Sequence, residues 1–227
     1  MFSGKLGYLT GQGVKQLDTL ILTHMHEDHI GSSSQLITSL DVHQVVMPKQ
    51  IATTQTFKNL VNALNKKNFK PVEAKGGLKL DLGSEAHGEF LAPNSSSYED
   101  ANDYSAVFRL VYGKNVFLFT GDAEATSESQ MVSQGYSLKA DVLKIGHHAS
   151  SSSTTTAFLQ KVAPKYAVIS VGVGNSYGHP ASTTLAKLKD SGAEIYRTDK
   201  SGTIVCISDG TNISFRTLGK TVQTMHP

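Results

Sequence analysis

One short segment constrains this chain more than any other. Residues 23–29 hold three histidines and two carboxylates, directly after the apolar run of residues 20–22 (LIL). That order predicts a buried strand that ends in a loop rich in ligating groups. Neutral imidazoles and carboxylates are the side chains that bind Zn²⁺ and related first-row cations. A polar surface loop needs no such density of ligands, so we interpret this segment as part of a metal site.

Two later segments have the same arrangement of a strand followed by ligating side chains. Residues 117–121 (FLFTG) lead to Asp122, and residues 142–146 (VLKIG) lead to His147 and His148. If these strand ends lie side by side, they build one site from distant parts of the chain, as open α/β sheets do. Asp122 taken alone could instead cap the following helix.

The number of candidate ligands favours two divalent cations, Zn²⁺ or Mn²⁺. We expect one cation at His24 and His26, the other at Asp28, His29 and His147, with Asp122 bridging the two. Paired cations of this kind lower the pKa of a coordinated water and stabilise the oxygens of a displacement, which is hydrolase chemistry.

The rest of the chain predicts an α/β fold. Strand-like and helix-like segments alternate from end to end, which indicates sheets covered by helices, and no linker is long enough to divide residues 1–227 into two domains. Lys and Arg exceed Asp and Glu by only 21 to 19, so the charge balance gives no sign of a broad nucleic-acid surface. The single cysteine, Cys206, excludes an internal disulfide and is expected to be a small core residue in a strand.

Taken together, the motifs resemble the metallo-β-lactamase superfamily and, within it, the hydrolase domain of the ComEC competence proteins. The matching segments, in the family's order, are residues 20–31 (LILTHMHEDHIG), 102–105 (NDYS), 119–124 (FTGDAE), 143–150 (LKIGHHAS), 177–180 (YGHP) and 196–203 (YRTDKSGT). The resemblance implies an αββα sandwich of two facing sheets with the metals at one edge. It also implies a metal-dependent phosphodiesterase or nuclease, associated in the family with the degradation of one DNA strand during uptake.

Residue by residue, the resemblance implies a set of roles. The metal ligands it implies are His24, His26, Asp28, His29, the bridging Asp122 and His147, with His148 competing for the last position. The catalytic residues we expect are Asp28, His148 and His179, the last two assisting the departing oxygen.

Substrate contacts are expected at Asn102, Ser105 and Ser150, and also at His179. For Asn102 and Ser105, a turn that enters a strand is an equal alternative. His179 lies where a helix opens, and the N-terminus of a helix can receive an anion. Lys144 is an available cation nearby, although a solvated surface charge is its ordinary interpretation.

The chain departs from the family pattern in two places. A further ligating histidine is often found before the bridging aspartate, and here His43 and His87 are the candidates; we expect both to be ordinary, partly exposed residues, His87 in a turn. One cation is then weakly held or completed by water, which suits Mn²⁺ or Mg²⁺ as well as Zn²⁺. The opening strand hairpin of the family is also missing, so we expect either a fragment or a fold that begins with an exposed sheet edge.

Two other functions stay open at this stage. The metals could serve the hydrolysis of a small ester, thioester or lactam, or the chain could be a truncated, non-catalytic domain that binds metal or nucleic acid. No apolar run approaches the length of a membrane span, so the chain as written is expected to be soluble. As part of a ComEC-like protein it would lie in the cytoplasm or at the outer face of the cell membrane. The sequence leaves the oligomeric state open.

Overall fold

Two β-sheets of unequal size lie face to face in the computed structural model, which describes residues 3–219. The strands are β1 (Gln16–Ile21), β2 (Asp41–Met47), β3 (Val72–Glu73), β4 (Lys79–Asp81), β5 (Ala86–Ala92), β6 (Val107–Tyr112), β7 (Asn115–Phe119), β8 (Val142–Lys144), β9 (Tyr166–Ile169), β10 (Glu194–Arg197), β11 (Thr203–Ser208) and β12 (Ile213–Leu218). The small sheet has the order β1-β2-β3, and the large one has the order β10-β9-β8-β7-β6-β5-β4. The antiparallel pair β11-β12 stands apart as a third sheet.

Helices cover the outer faces of the two main sheets. They are α1 (Ser3–Gly11), α2 (Glu27–Ile30), α3 (Ser33–Ser39), α4 (Gln55–Lys66), α5 (Ala125–Ser133), α6 (Thr156–Val162), α7 (Ser182–Asp190) and α8 (Thr198–Ser201), with 3₁₀ turns at Ala101–Tyr104 and Gly146–Ala149. Within residues 3–219, no helix has both the length and the apolar content that a membrane crossing requires.

Three apolar clusters join these elements into layers. Val45 and Leu60 belong to the cluster between the small sheet and α2–α4. Val46 and Phe90 belong to the cluster between the two sheets. Phe158 of α6 belongs to the cluster that packs α5–α7 on the far face of the large sheet. The order of layers is therefore helix, sheet, sheet, helix, and the predicted αββα sandwich is confirmed.

Helix α4 illustrates how the sequence produces this layering. The hydroxyl of Thr54 accepts a hydrogen bond from the backbone N–H of Phe57 and so caps the first turn. Leu60, Ala63 and Leu64 follow at helical spacing, and all three are buried. The apolar stripe holds the helix on the small sheet while its other face stays in water.

The strand directions bring distant segments to one edge. Strands β7, β8, β9 and β10 are parallel neighbours, so their carboxyl ends reach the same edge of the large sheet. The end of β1 comes to this edge from the other sheet, where the carbonyl of Thr23 accepts a hydrogen bond from the N–H of Ala106, 2.8 Å away. The loops after β1, β7 and β8 therefore meet between the two sheets.

Two local expectations were wrong. Cys206 lies in β11 as predicted, but it is exposed rather than part of the core, because β11 pairs only with β12 at the surface. His87 is exposed on β5 rather than in a turn. At the start of the described chain stands the helix α1, and β1 forms the edge of the small sheet.

Candidate metal centre

Four ligating side chains converge where the strand ends meet. Asp28, His29, Asp122 and His148 each offer one nitrogen or oxygen, and these four atoms all lie within 4.8 Å of one another. They come from the loops after β1, β7 and β8, three places far apart in the sequence. The convergence predicted from the strand ends is therefore found.

Asp122 is the centre of the cluster. Its Oδ2 atom lies 3.1 Å from Nε2 of His29 and 3.5 Å from Nε2 of His148. The same oxygen lies 3.9 Å from Nε2 of His24, whose ring centroid is 4.1 Å from that of His29. One carboxylate oxygen thus faces ligands from both halves of the expected cation pair.

His24 and His26 are the histidines that we expect at the other cation. Their ring centroids are 4.6 Å apart with the planes nearly perpendicular, and His24 is fully buried while His26 is exposed. The two histidines considered as a further ligand lie elsewhere. His43, on β2, contacts the carboxylates of Asp18 and Asp41, and His87 is on β5.

The residues fit a metal because several of their buried polar atoms have no hydrogen-bond partner. Among residues 3–219, His24 Nε2, His29 Nε2 and Asp122 Oδ1 are buried side-chain atoms that make no hydrogen bond. A buried polar atom without a partner costs roughly 1–3 kcal/mol. These atoms are two imidazole nitrogens and a carboxylate oxygen, which are donors that Zn²⁺ or Mn²⁺ takes, and His29 Nε2 has only the carboxylates of Asp28 and Asp122 beside it.

The opposite ring nitrogens are held by the scaffold. The hydroxyl of Thr23 lies 3.3 Å from Nδ1 of His24 and 3.0 Å from Nδ1 of His29. Nδ1 of His148 donates to the backbone carbonyl of Ser170 at 2.7 Å. Each contact fixes the ring and leaves its Nε2 free for the cluster, which is how outer partners orient metal-binding histidines. Sequence reasoning missed Thr23, although it directly precedes the first histidine.

The charges of the cluster follow from burial and from neighbours. Burial, together with the nearby His29, lowers the pKa of His24 to about 3, so this imidazole is neutral at pH 7 and has a lone pair to offer. His148, and after it His29, lowers the pKa of Asp28 far below its usual range. Burial, the largest single influence, opposes ionisation of Asp122, but His29, His148 and His24 together outweigh burial and lower the pKa of Asp122 as well. The site therefore presents carboxylates and a neutral imidazole near neutral pH.

A glycine, Gly121, lets the segment after β7 approach Thr23 and Ser105 closely. Gly121 has a φ of +54°, and a Cβ placed on it would lie 2.9 Å from Ser105 Oγ and 2.9 Å from Thr23 Cβ. A side chain there would collide with both strand ends and would require a strained backbone. The Gly-Asp pair thus supplies both the central carboxylate of the cluster and the space that it needs.

The structure places His148 in the cluster, where the sequence favoured His147. Residues 147, 148 and 149 all have positive φ, of 42°, 51° and 65°. Successive side chains therefore leave this turn in directions that no regular helix or strand would give. His148 turns toward Asp28, whose Oδ2 lies 3.1 Å from its Nε2, and His147 turns away to Glu124. His148 therefore lies among the other candidate ligands, whereas His147, the expected ligand, contacts Glu124.

Glu124 is a site residue that sequence reasoning did not single out. Its Oε1 accepts hydrogen bonds from His147 Nδ1 at 2.5 Å, Ser152 Oγ at 2.7 Å and Asn102 Nδ2 at 3.3 Å. It also occupies the N-cap position of α5, so Asp122 does not cap that helix. The signal available was its place in the segment FTGDAE, two residues after the bridging aspartate.

Three expected substrate contacts are buried in the scaffold. Ser105 is fully buried, and its Oγ accepts a hydrogen bond from the N–H of Asp122 at 2.9 Å. Asn102 reaches Glu124, and Ser150 lies 2.8 Å from the hydroxyl of Ser152. In the described structure these contacts position the backbone of Asp122 and the loop around His147, and the expected role of the three residues as substrate contacts stays a prediction.

His179 lies beside the cluster, as its expected role requires. Its ring centroid is 5.4 Å from that of His147, and it is partly exposed. Burial, together with His147 and His148, lowers its pKa, so the ring is neutral at pH 7. Lys144 is partly buried and donates to the carbonyl of Ile145 at 2.7 Å, so the expectation of a solvated charge was wrong.

Comparison with solved structures supports the same architecture. The chain aligns with CmlA, a diiron β-hydroxylase from Streptomyces venezuelae, with a TM-score of 0.52 and 16% sequence identity over 81% of this chain and 44% of that one. At this identity the likeness concerns the fold alone.

Relatives in sequence are more similar. The chain is 35% identical over 197 residues to ComE operon protein 3 of Bacillus subtilis, covering 87% of this chain and 25% of that protein. It is 38% identical over 117 residues to competence protein ComA of Neisseria gonorrhoeae, covering 51% of this chain and 17% of that protein. The chain thus spans a quarter or less of the length of these two relatives. The family model of the metallo-β-lactamase superfamily matches residues 2–173, and with the ligand cluster and the layered sheets already described, the chain belongs to that superfamily.

Proposed function

We propose that this chain is a metal-dependent phosphodiesterase that cleaves DNA. The observation that carries the proposal is the position of Asp122 between two sets of ligands. One oxygen of this carboxylate lies 3.9 Å from His24 Nε2 and 3.1 Å from His29 Nε2. A carboxylate shared in this way supports two cations, and paired cations suit a phosphodiester because they act on two oxygens of one displacement.

The chain divides its ligands between the two cations. His24, His26 and Asp122 would hold one, and Asp28, His29, His148 and Asp122 would hold the other. The bound cations supply Lewis acidity toward a phosphoryl oxygen and a lowered pKa for a coordinated water. Thr23 and Ser170 keep the imidazoles oriented, and Ser105 holds the backbone of Asp122.

The departing oxygen needs a hydrogen-bond donor outside the ligand set. Because His148 belongs to the cluster, His179 becomes the candidate to hydrogen-bond the departing oxygen. Its ring lies 5.4 Å from His147, whose own Nδ1 is tied to Glu124. A neutral imidazole carries one N–H, and that group can stabilise developing negative charge on an alkoxide.

DNA is the substrate that the relatives favour. Two proteins named for competence or its operon are 35% and 38% identical to this chain. The formal net charge of +2 gives little non-specific attraction to phosphates, so affinity for DNA would have to arise locally, at the cations and the groups around them. The chain matches a quarter or less of each relative. DNA uptake by the whole relatives is therefore not part of this proposal, which concerns cleavage alone.

The direct test is cleavage of single-stranded DNA by protein loaded with Mn²⁺ or Zn²⁺. We expect cleavage by wild type, and loss of it in Asp122→Ala and in His26→Ala. Elemental analysis before the assay establishes that wild type holds metal. If metal-loaded wild type does not cleave DNA, the proposal fails. Unchanged cleavage in both variants would contradict the metal mechanism, and the absence of cleavage of any phosphodiester or ester would favour a non-catalytic domain.

One observation favours a second candidate, hydrolysis of an ester or thioester with an apolar acyl group. A cavity of about 660 Å³ lies on the large sheet, lined by Phe117, Phe119 and Val142 among other apolar residues, together with Lys144. Lys144 is close enough to Asp28 and Asp122 for their charges to act on it. Acyl esters and phosphodiesters tested side by side on the same metal-loaded protein separate the two candidates.

A further inference from the structure

An exposed tyrosine contacts His179 without a structural reason for its exposure. Tyr177 lies in the loop between β9 and α7, and 82% of its surface is open to solvent. Its ring lies stacked with that of His179, with centroids 6.0 Å apart and planes within 19° of parallel. A side chain so exposed contributes little burial energy to folding.

The loop that carries Tyr177 is nevertheless braced. Oδ1 of Asn175 accepts hydrogen bonds from the N–H groups of Tyr177 and His179, at 3.2 and 3.0 Å. Its Nδ2 donates to the carbonyls of His179 and Gly172, at 2.6 and 3.1 Å. One asparagine side chain thus ties together the backbone on both sides of the tyrosine. The backbone that presents the ring is fixed before any ligand arrives.

From Tyr177, a row of rings leads to the ligand cluster. The centroid of His179 lies 5.4 Å from that of His147, which lies 6.2 Å from that of His148. His148 in turn is a member of the cluster around Asp122. His147 meets His179 and His148 edge-to-face, at 68° and 64°, so it is the stacked pair of Tyr177 and His179 that offers a flat face to a base of a strand whose phosphate lies at the cluster.

We propose that Tyr177 and His179 form a stacking site for a nucleobase of a single-stranded nucleic acid whose phosphate lies at the metal centre. The inference rests on the proposed function and names the form of substrate that the site takes. Aromatic side chains stack on any base and so bind single strands without regard to sequence. In a duplex the bases are already stacked on one another and are not available to a protein ring. Stacking would also supply affinity that a net charge of +2 does not.

The test compares two ligands that differ only in their bases. A short phosphorothioate oligothymidylate, which resists cleavage, and the matching abasic backbone are titrated against Mn²⁺-loaded protein, with fluorescence anisotropy as the readout. We expect Tyr177→Ala to weaken binding of the thymidylate by about 5- to 150-fold and to leave binding of the abasic strand unchanged. Tyr177→Phe keeps the ring and should bind both strands as wild type does. Val173→Ala, at a residue of the same loop that is 69% exposed, is the matched control and should also behave as wild type.

Each other outcome overturns the inference. Unchanged affinity of Tyr177→Ala for both strands would refute it, and an equal loss for both strands would indicate a loop distortion rather than stacking. Wild-type protein that binds the two strands with equal affinity would also refute it. These results are independent of cleavage: if wild type cuts ordinary single-stranded DNA but shows no preference for bases, the proposed function stands and the stacking site does not.

Discussion

The two adjacent histidines after β8 offer a sharp experiment, because the structure gives them different partners. His148 Nε2 lies 3.1 Å from Asp28 Oδ2 and 3.5 Å from Asp122 Oδ2. His147 binds Glu124 instead. We predict that His148→Ala weakens binding of one divalent cation, whereas His147→Ala leaves both cations bound.

The size of the effect follows from the number of ligands. Four-ligand structural zinc sites bind with about 10–16 kcal/mol, or about 2.5–4 kcal/mol for each ligand. At about 1.4 kcal/mol per tenfold change, the loss of the His148 imidazole should weaken that cation by about 10²- to 10³-fold. His147→Ala removes only a hydrogen bond to Glu124, so we expect a change of no more than about threefold.

Titration calorimetry of metal-free protein with Zn²⁺ or Mn²⁺ measures both affinities, and elemental analysis after dialysis gives the number of ions retained. Thermal unfolding of both variants without metal serves as the control for folding. An equal loss in the two variants, or a larger one in His147→Ala, would refute the assignment of His148 as the ligand and restore the choice that the sequence favoured.

Three further perturbations test other parts of the argument. Thr23→Val keeps the shape of the side chain but removes the hydroxyl beside His24 and His29, so metal affinity measured by calorimetry should fall about 10- to 100-fold, and wild-type affinity would contradict the orienting role. Burial raises the pKa of Glu128, so ionisation of this carboxyl group opposes folding. The protonated carboxyl group stabilises the folded state fully below a pH of about 4.3, and this stabilisation is lost as the pH rises through the raised pKa. The free energy of unfolding from urea titrations should therefore fall over that range relative to Glu128→Gln, and parallel curves would refute the shift. Phe158→Ala opens a cavity where the side chain is 1% exposed, and it should lower the free energy of unfolding by about 3–5 kcal/mol, with a change below about 1 kcal/mol contradicting its place in the core.

Much of the fold could be predicted from local pattern. Apolar residues at 57, 60, 61 and 64 recur at helical spacing after the capping Thr54, and they form α4, Gln55–Lys66; both signals are local. Two strand-like runs, residues 105–111 and 115–119, are separated by the short turn Tyr112-Gly113-Lys114, and they form the hairpin β6-β7. The cysteine of β11 was misjudged, since its strand pattern says nothing about whether another layer covers that strand.

Part of the candidate site could also be predicted from the sequence, and part could not. The sequence by itself determined which chemical groups are present and that they follow strands, and parallel strands bring their ends to one edge whatever the details of the loops. Hence the group of Asp28, His29 and Asp122 was foreseeable.

Only the tertiary structure decided what each neighbouring polar residue does. Ser105 became a buried support for the Asp122 backbone, and Glu124 became the partner of His147, because both depend on which loops pack together. The choice of His148 over His147 depends on three successive residues with positive φ. Such a turn has no sequence period, so the direction of each imidazole is fixed by the backbone that the surrounding layers impose and not by the order of the residues.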